Sequence, residues 1–250
     1  PIVMTLCDYK LVSPNYSLFV RGKIWEHHSG LRCLADRCVK DSFSKSLVCV
    51  FEQWLHQLLG TYGKVDAYIG LSQFLIDTFK RLGFPYPIQL LTQPLVPLPH
   101  LTETLPEKTG KNFLYFGRLS AEKGIATLIR AFAELKDGET LSLVGFGPEE
   151  ERLKQLTTEL KLEDKVTFLG PVYGDDLKKL LTLARAVVVP SEWYENTPYA
   201  LLETLASGTP VTTSNISAAS SVYYVPYVGS SVPVYNGSLF VATPFSELSL

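Results

Sequence analysis

The segment 190–210, P-S-E-W-Y-E-N-T-P-Y-A-L-L-E-T-L-A-S-G-T-P, limits the folds open to this chain more than any other stretch. The β-branched run Ala186 to Val189 leads into it, and such a run is typical of a parallel strand that helices cover on both faces. Thr197 is expected to cap a helix that begins at Pro198, and Gly208 is expected to end it. A buried strand followed directly by a helix predicts an α/β protein.

The predicted start of this helix combines backbone amides with two carboxylates. Proline stands at a helix position where no donor is needed. The amides of Tyr199 and Ala200, which follow it, are therefore left to face an anion. Glu195 precedes the helix and Glu203 lies inside it, and eight helical residues span roughly 12 Å. The two acids are therefore expected at the two ends of a bound sugar nucleotide. A loop charge and a solvated helix residue are the alternative interpretation of this E-x7-E spacing.

Five motifs between Phe116 and Val211 resemble those of a known family. They are F-G-R-L-S-A-E-K-G (116–124), L-V-G-F-G-P (143–148), V-T-F-L-G (166–170), P-S-E-W-Y-E-N-T-P (190–198) and E-T-L-A-S-G-T-P-V (203–211). In this order they resemble the donor-binding lobe of the retaining glycosyltransferase family 4, or glycosyltransferase group 1, which includes sucrose-phosphate and glycogen synthase relatives. The resemblance implies the GT-B architecture. A Rossmann-like donor lobe is expected at 111–250, and a partial acceptor-side lobe with a linker at 1–110.

The resemblance also implies which residues bind the donor, a nucleoside diphosphate sugar. Arg118 and Lys123 would hold the diphosphate. Glu195 would contact sugar hydroxyls, while Glu203 would accept hydrogen bonds from the ribose. The remaining predicted donor contacts are Gly117, Phe146, Leu169, Gly170, Asn196, Thr197, Pro198 and Tyr199.

Two cations at the carboxyl end of a buried strand can replace a divalent metal at the leaving group. The sequence has no D-x-D motif, and the adjacent Asp175 and Asp176 do not form one. Charge-assisted hydrogen bonds from Arg118 and Lys123 are therefore expected to stabilise the departing diphosphate without a metal. The alternative is that both cations are surface charges at a helix entry.

The contact to the donor sugar departs from the resembled family at the end of the first strand. There the family has T-x-H-D, with the His placed against the sugar, whereas this chain has Cys7 followed by the matching Asp8. Both positions are predicted to be catalytic, although a thiol cannot offer the two nitrogens of an imidazole. A small buried residue at a strand end is the alternative interpretation of Cys7.

The G-F-G sequence at 145–147 resembles part of a dinucleotide fingerprint. Glu150 stands where the third glycine would be, and the run Glu149 to Glu151 would repel a pyrophosphate at the helix start. No NAD site is therefore expected, and no cofactor besides the donor substrate.

Residues 13–38 form a loop-like stretch in which histidines and cysteines lie close together. His28, Cys33 and Cys38 leave a zinc site open, but the C-x2-C spacing of common zinc sites is absent. Because no secretory signal follows Pro1, a cytoplasmic protein with reduced thiols is expected.

The first 92 residues predict one amphipathic helix and a βαβ succession. The helix, from Ser42 to Gly60, is expected to turn one apolar stripe to the core. The stripe residues are Phe43, Leu47, Val50, Phe51, Trp54, Leu55 and Leu58. Strands at 66–71 and 88–92 flank a helix that Ser72 is expected to cap. Residues 93–111 have the proline-rich composition of a linker.

Charge and hydropathy exclude several functional classes. A net charge of -2 and a pI near 6.1 give no electrostatic reason to expect nucleic-acid binding. Lys178 and Arg185 interrupt the longest apolar candidates, so no membrane span is expected.

The lack of an initiating Met suggests that the chain begins inside a longer protein. Residues 217–235, rich in Ser, Val and Tyr, are expected to add strands.

The expected function is transfer of a sugar, with retained anomeric configuration, from a nucleoside diphosphate sugar to a hydroxyl acceptor. The acceptor is expected to be a saccharide or a lipid-linked molecule, and the latter leaves peripheral contact with a membrane open. One alternative is a nucleotide-sugar binding module that has lost catalysis, which Cys7 would favour. An epimerase acting on the nucleotide sugar is a third candidate, but no acid and base pair can be named for it. The sequence does not specify the sugar, the base or the oligomeric state.

Overall fold

The computed structural model describes residues 1–91, 111–135, 138–196, 198–214 and 241–242. These residues form two compact units. The first contains 1–91 and 192–196, and the second contains 111–135, 138–191, 198–214 and 241–242. The boundary between residues 110 and 111 stays a prediction. The helix cap at Thr197, the linker except for Lys111, and the strands predicted at 217–235 lie outside the described residues.

The first unit is built on a short parallel sheet. In chain order it contains β1 (Val3–Leu6), β2 (Phe19–Val20), β3 (Lys23–Ile24), α1 (Gly30–Asp36), α2 (Phe43–Leu58), β4 (Ala67–Gly70), α3 (Gln73–Arg81) and β5 (Ile88–Leu90), with a 3₁₀ turn at Thr61–Lys64. The sheet order is β1-β4-β5, with all neighbours parallel, and β2 and β3 form a separate antiparallel pair. The βαβ succession predicted from the sequence is confirmed by β4, α3 and β5.

Helix α3 has a polar cap followed by an apolar stripe, and this pattern gives the first unit its core. The Ser72 hydroxyl accepts a hydrogen bond from the Leu75 amide at 3.2 Å, which confirms the predicted cap. Leu75 and Phe79 are fully buried and pack in one apolar cluster with Leu6 of β1 and Tyr68 of β4. The first unit therefore has a hydrophobic core of its own.

Helix α2 has the predicted amphipathic pattern but presents its polar side to the rest of the unit. Its buried residues are Ser46 and Gln53. The Ser46 hydroxyl accepts from the Val39 amide at 3.1 Å and donates to the Ser42 carbonyl at 2.8 Å. The exposed side carries most of the predicted stripe, namely Phe43, Leu47, Phe51, Trp54 and Leu58. The prediction that the stripe faces the core is wrong for these five residues. Val50, also of the stripe, is half-buried and packs against the cluster of Trp25, Cys33 and Cys38 beside α1.

The apolar stripe does not make α2 a membrane span. The helix has 16 residues, which is shorter than the roughly 20 that a bilayer requires. In the part of the chain that the structure describes, no helix has the length and apolar character needed to cross a membrane.

A small cluster beside α2 corrects the prediction about two cysteines. Cys33 and Cys38 are joined by a disulfide, with their Cα atoms 4.9 Å apart, and both are buried against Trp25. The prediction of reduced thiols is therefore wrong for this pair. A zinc site formed by His28, Cys33 and Cys38 is excluded as well, because the two sulfurs are bonded to each other.

The second unit is built on a six-stranded sheet. In chain order it contains β6 (Asn112–Phe116), α4 (Ile125–Glu134), β7 (Thr140–Val144), α5 (Glu150–Glu159), β8 (Val166–Gly170), α6 (Gly174–Leu183), β9 (Ala186–Val189), α7 (Tyr199–Ala206), β10 (Val211–Ser214) and β11 (Val241–Ala242). Every pairing is parallel and the order is β11-β10-β9-β6-β7-β8. The predicted α/β class, and the strands predicted from Asn112 and from Thr140, are confirmed.

The strand order places a reversal between β6 and β9. The chain runs outward from β6 through β7 to β8 and then starts β9 on the other side of β6. In open parallel sheets such a reversal leaves a crevice at the carboxyl ends of the two central strands, where ligands bind. The loops that follow Phe116 and Val189 therefore border the place where the fold predicts a ligand.

Candidate functional site

Three loops of the second unit, at the carboxyl ends of β6, β7 and β8, are joined by backbone hydrogen bonds. The Leu119 amide donates to the Phe146 carbonyl at 3.0 Å, and the Gly145 amide donates to the Gly170 carbonyl at 2.8 Å. Because these bonds involve main-chain atoms, they fix the relative position of the loops whatever side chains the loops carry. The joined segments, residues 117–120, 145–149 and 170, are termed the loop rim.

The two glycines of G-F-G are needed for contact between loops of this rim. A β-carbon on Gly145 would lie 1.8 Å from the Gly117 carbonyl oxygen, and one on Gly147 would lie 2.1 Å from the Leu119 carbonyl oxygen. Gly145 also has a φ of +133°, which other residues rarely adopt. The glycines are therefore explained by the packing of the β7 loop on the β6 loop, without a bound dinucleotide.

Arg118 and Lys123, the predicted diphosphate ligands, follow β6 at the reversal of the sheet. The Arg118 side chain is exposed, and its carbonyl accepts a hydrogen bond from the Tyr115 hydroxyl at 2.8 Å. Lys123 is half-buried and ends the 3₁₀ turn Ala121–Lys123. The Lys123 amide donates to the Ser120 carbonyl and so closes this turn. Both cations thus project from backbone that is fixed by hydrogen bonds.

Large apolar side chains stand exposed at the same ends of the neighbouring strands. Phe146 is 62% exposed on the rim, and Leu169, the penultimate residue of β8, is 41% exposed. Exposed apolar side chains beside backbone groups are the surface on which a planar base can stack. The structure therefore places the predicted base contacts Phe146, Leu169 and Gly170 on adjacent strand ends.

Helix α7 begins one residue later than predicted. Its N-cap is Pro198, without a side-chain capping bond, so Pro198 is the cap rather than the first helical residue. The amide of Leu201 donates to the Pro198 carbonyl at 3.0 Å. Tyr199 and Ala200 precede this first intrahelical bond, and the Tyr199 side chain is exposed. Contact of these two amides with an anion stays a prediction.

Glu203, the predicted ribose ligand, lies in the middle of α7. The residue is exposed, yet nearby protein atoms partly desolvate its carboxyl group and thereby raise its pKa above the ordinary value of 4.5. A ligand that donates hydrogen bonds to the carboxylate would favour its ionised form and so oppose this rise in pKa.

In the first unit, Cys7 and Asp8 follow β1 at its carboxyl end. Cys7 is an exposed free thiol, so the interpretation of Cys7 as a buried residue at a strand end is wrong. The Asp8 carboxylate accepts a hydrogen bond from the Lys10 amide at 2.9 Å, which closes a local turn. Asp8 therefore has a structural role in a local turn of the described chain.

The segment 192–196 connects β9 to α7 in the sequence but packs within the first unit. The Asn196 amide nitrogen donates to the carbonyl of Leu6, the last residue of β1, at 3.0 Å. Its amide oxygen lies 3.5 Å from the Ser72 hydroxyl, the cap of α3. Glu195 is only 6% exposed. The structure thus brings Glu195 and Asn196 to the same end of β1 that Cys7 and Asp8 follow.

Aromatic residues hold the other side of this segment. The Tyr194 ring meets Phe74 of α3 edge-on, with centroids 5.0 Å apart, and contacts Tyr9 at 6.4 Å. Burial, with a hydrogen bond to Glu26, raises the pKa of Tyr194 to about 12, and Glu26 in turn accepts from Arg81. The segment is therefore anchored by both polar and apolar contacts.

Sequence reasoning missed these anchors. It assigned Asn196 to the donor through its backbone and Ser72 to the cap of α3 alone, and it gave Tyr194 no role. The available signal was the pair Trp193 and Tyr194 in a loop between a strand and a helix, where two large aromatic residues need something to pack against.

Comparison with known proteins gives one family match. The model of the family described as "Glycosyl transferases group 1" matches residues 101–241 of this chain. An uncharacterized glycosyltransferase of Methanocaldococcus jannaschii is 43% identical over 108 residues, which are 42% of this chain and 27% of that protein. A glycogen synthase of Mycobacterium tuberculosis is 35% identical over 114 residues, or 44% of this chain and 27% of the enzyme.

A solved structure is similar over a larger share of the chain. The Anabaena protein HepE in complex with UDP-glucose covers 90% of this chain with a TM-score of 0.61 and 20% sequence identity. This chain covers 56% of HepE and about a quarter of each curated relative, so it spans only part of the length of its relatives. The structural neighbours have the GT-B architecture that the sequence predicts.

Proposed function

Because this chain belongs to the glycosyl transferases group 1 family, we propose that it carries the donor-binding part of a glycosyltransferase that uses a nucleoside diphosphate sugar. The observation that carries the proposal is the combination of Arg118 with the exposed Phe146 and Leu169 at the carboxyl ends of the neighbouring strands β6, β7 and β8. A cation suits a diphosphate, and an exposed aromatic ring suits a nucleobase.

The predicted contacts divide among the phosphates, the ribose and the sugar of the donor in this proposal. Arg118 and Lys123 bind the diphosphate, while Glu203 accepts hydrogen bonds from the ribose hydroxyls. The start of α7, with the amides of Tyr199 and Ala200, receives the remaining phosphate charge because a helix amino terminus favours anions. Glu195 contacts hydroxyls of the sugar.

The reaction we propose is transfer with retention and without a metal. The bond between the anomeric carbon and the diphosphate oxygen breaks, and the acceptor oxygen forms its bond on the same face of the sugar while the acceptor proton passes to the leaving diphosphate. Charge that develops on the leaving diphosphate is stabilised by Arg118 and Lys123 in place of a divalent cation. The acceptor is a saccharide or a lipid-linked hydroxyl in a cytoplasmic setting, and a lipid-linked acceptor would bring the protein to a membrane surface.

The test is calorimetric titration of the chain with UDP-, GDP- and ADP-glucose, with the free nucleotides as controls. UDP-glucose is the first probe because HepE is bound to it. We expect saturable binding of at least one sugar nucleotide. Where transfer to an acceptor is detected, NMR of the product should show the anomeric configuration of the donor. Binding of none of these donors would contradict the proposal, and an inverted product would contradict the retaining mechanism.

A second candidate function is binding of the sugar nucleotide without transfer. It is favoured by Cys7, an exposed thiol at the position where the resembled family places an imidazole. Replacing Cys7 with His should then increase transfer while leaving nucleotide affinity unchanged. If the unaltered chain already transfers sugar efficiently, the second candidate is wrong.

A further inference from the structure

Asn196 uses both ends of its side-chain amide on the protein. The Leu6 carbonyl can only accept, so the amide nitrogen must face it, and their distance is 3.0 Å. The amide oxygen then points to the Ser72 hydroxyl at 3.5 Å, a long hydrogen bond. An aspartate of the same shape has no donor for Leu6, and would instead set a carboxylate against a carbonyl oxygen.

Tyr194 fixes the residue on the other side of Glu195. Its ring lies between Phe74 and Tyr9, and its hydroxyl is hydrogen-bonded to Glu26. Phe74 is on α3 and Tyr9 belongs to the buried core of the first unit. Both neighbours of Glu195 are therefore held by the first unit, and Glu195 itself is only 6% exposed. A backbone held on both sides fixes where the Glu195 side chain begins, and its burial restricts the rotamers open to that side chain.

We propose that Asn196 is a positioning residue, which holds the segment 192–196 on the carboxyl end of β1 and so fixes the backbone of Glu195, the residue proposed to contact the sugar. Asn196 does not itself bind the donor through its side chain. The inference rests on the proposed function for the role of Glu195, but the anchoring of the segment can be measured without any ligand.

The ligand-free experiment compares Asn196→Asp with the unaltered protein by hydrogen exchange and mass spectrometry. Peptides that contain residues 192–196 should exchange about tenfold faster in the variant, because the partly buried hydrogen bond from Asn196 to the Leu6 carbonyl is lost. Peptides from α4 and α5 should not change. Gln57→Glu makes the same chemical change at an exposed position of α2 and should leave all peptides unaltered. Unchanged exchange in Asn196→Asp would overturn the inference whatever the protein binds.

The ligand experiment titrates UDP and UDP-glucose into Asn196→Asp, Glu195→Gln and the double variant. Asn196→Asp should keep its affinity for UDP within about twofold and lose about tenfold for UDP-glucose, since only the sugar contact is misplaced. Glu195→Gln should show the same pattern. The double variant should lose no more than Glu195→Gln alone, because a positioning residue has nothing left to position.

The outcomes separate the inference from the proposed function. Equal losses for UDP and UDP-glucose in Asn196→Asp would mean that Asn196 contacts the nucleotide, and additive losses in the double variant would mean that it acts independently of Glu195. Either result would overturn the inference and leave the proposed function standing. If the unaltered protein binds none of UDP-, GDP- and ADP-glucose, the proposed function fails, and the exchange experiment still decides whether Asn196 anchors the segment.

Discussion

Arg118 and Lys123 differ in their surroundings although we propose the same ligand for both. Arg118 is exposed, while Lys123 is half-buried at the end of its 3₁₀ turn. Replacing either with Ala should weaken UDP binding by about 1.5 to 3 kcal/mol, since each removes a charge-assisted hydrogen bond to the diphosphate. Isothermal titration calorimetry measures the change directly.

Lys111 provides a matched control for these two variants. It is an exposed lysine that directly precedes β6, and therefore lies at the opposite end of the strand from Arg118. Lys111→Ala changes the net charge equally and should leave UDP affinity unaltered. If Arg118→Ala and Lys123→Ala behave like Lys111→Ala, neither cation binds the diphosphate.

The raised pKa of Glu203 predicts how nucleotide binding depends on pH. Desolvation keeps the carboxyl protonated to a higher pH than its ordinary 4.5, and only the ionised form accepts hydrogen bonds from both ribose hydroxyls. UDP affinity should therefore increase as the pH rises through this raised pKa. Glu203→Gln should weaken UDP and UDP-glucose alike and remove this part of the pH dependence. Identical pH profiles for the two proteins in calorimetric titrations would show that Glu203 does not contact the ribose.

At the scale of elements, the loop rim predicts that Gly147 cannot be replaced. A β-carbon there would lie 2.1 Å from the Leu119 carbonyl, so Gly147→Ala should lower the free energy of unfolding by at least about 2 kcal/mol. Gly174→Ala is the comparison, because Gly174 has a φ of +59° but no atom within 4 Å of the added carbon. It should cost only about 1 to 2 kcal/mol. Urea denaturation of both variants checks the order, and a smaller loss for Gly147→Ala would contradict the contact.

Because the aromatic side chains of helix α2 are exposed, removing one of them should change the free energy of unfolding unusually little. Phe51 is 57% exposed on α2, whereas Phe79 on α3 has no exposed surface. Phe51→Ala should lower the free energy of unfolding by less than about 1 kcal/mol, and Phe79→Ala by about 3 to 5 kcal/mol. The two variants make the same chemical change on helices of the same unit, and chemical denaturation compares them. A large loss in Phe51→Ala would mean that α2 is covered in solution.

The sequence was sufficient to predict elements whose pattern is local. Strands β6 and β7 were predicted to the residue, and the cap of α3 was correct, because apolar runs and hydroxyl caps act over a few positions. The direction in which α2 turns its stripe could not be predicted, since helical spacing shows that a face is apolar but not what covers it. The disulfide was missed for a different reason, because reduced thiols were inferred from an expected cytoplasmic location and not from the positions of the two cysteines in the fold.

The candidate site shows the same division between local and distant information. Loop residues such as Arg118 and Phe146 could be placed from the strands that precede them. The partners of Asn196 could not, because Leu6 lies 190 positions away in the sequence and the contact depends on which unit the segment joins.

For the whole molecule, the proposed chemistry predicts that donor binding needs no divalent cation. UDP-glucose affinity should be the same in EDTA and in added magnesium, because Arg118 and Lys123 supply the charge that a metal would otherwise supply. Calorimetric titration under both conditions measures this, with magnesium titrated into UDP-glucose alone as the control. A large gain in affinity with magnesium would show that the leaving-group chemistry has been misassigned.

The loops at the carboxyl end of the second sheet contain positions whose residues the fold requires and positions whose residues it does not. The loop rim is joined through main-chain atoms, whereas Phe146 and Leu169 project outwards and contribute no atom of their side chains to those bonds. Over generations, such a scaffold can exchange its outward residues while the sheet below stays intact. A library randomised at these two positions should therefore keep most members folded, and under the proposed function selection on different bases would yield variants that prefer different nucleotides.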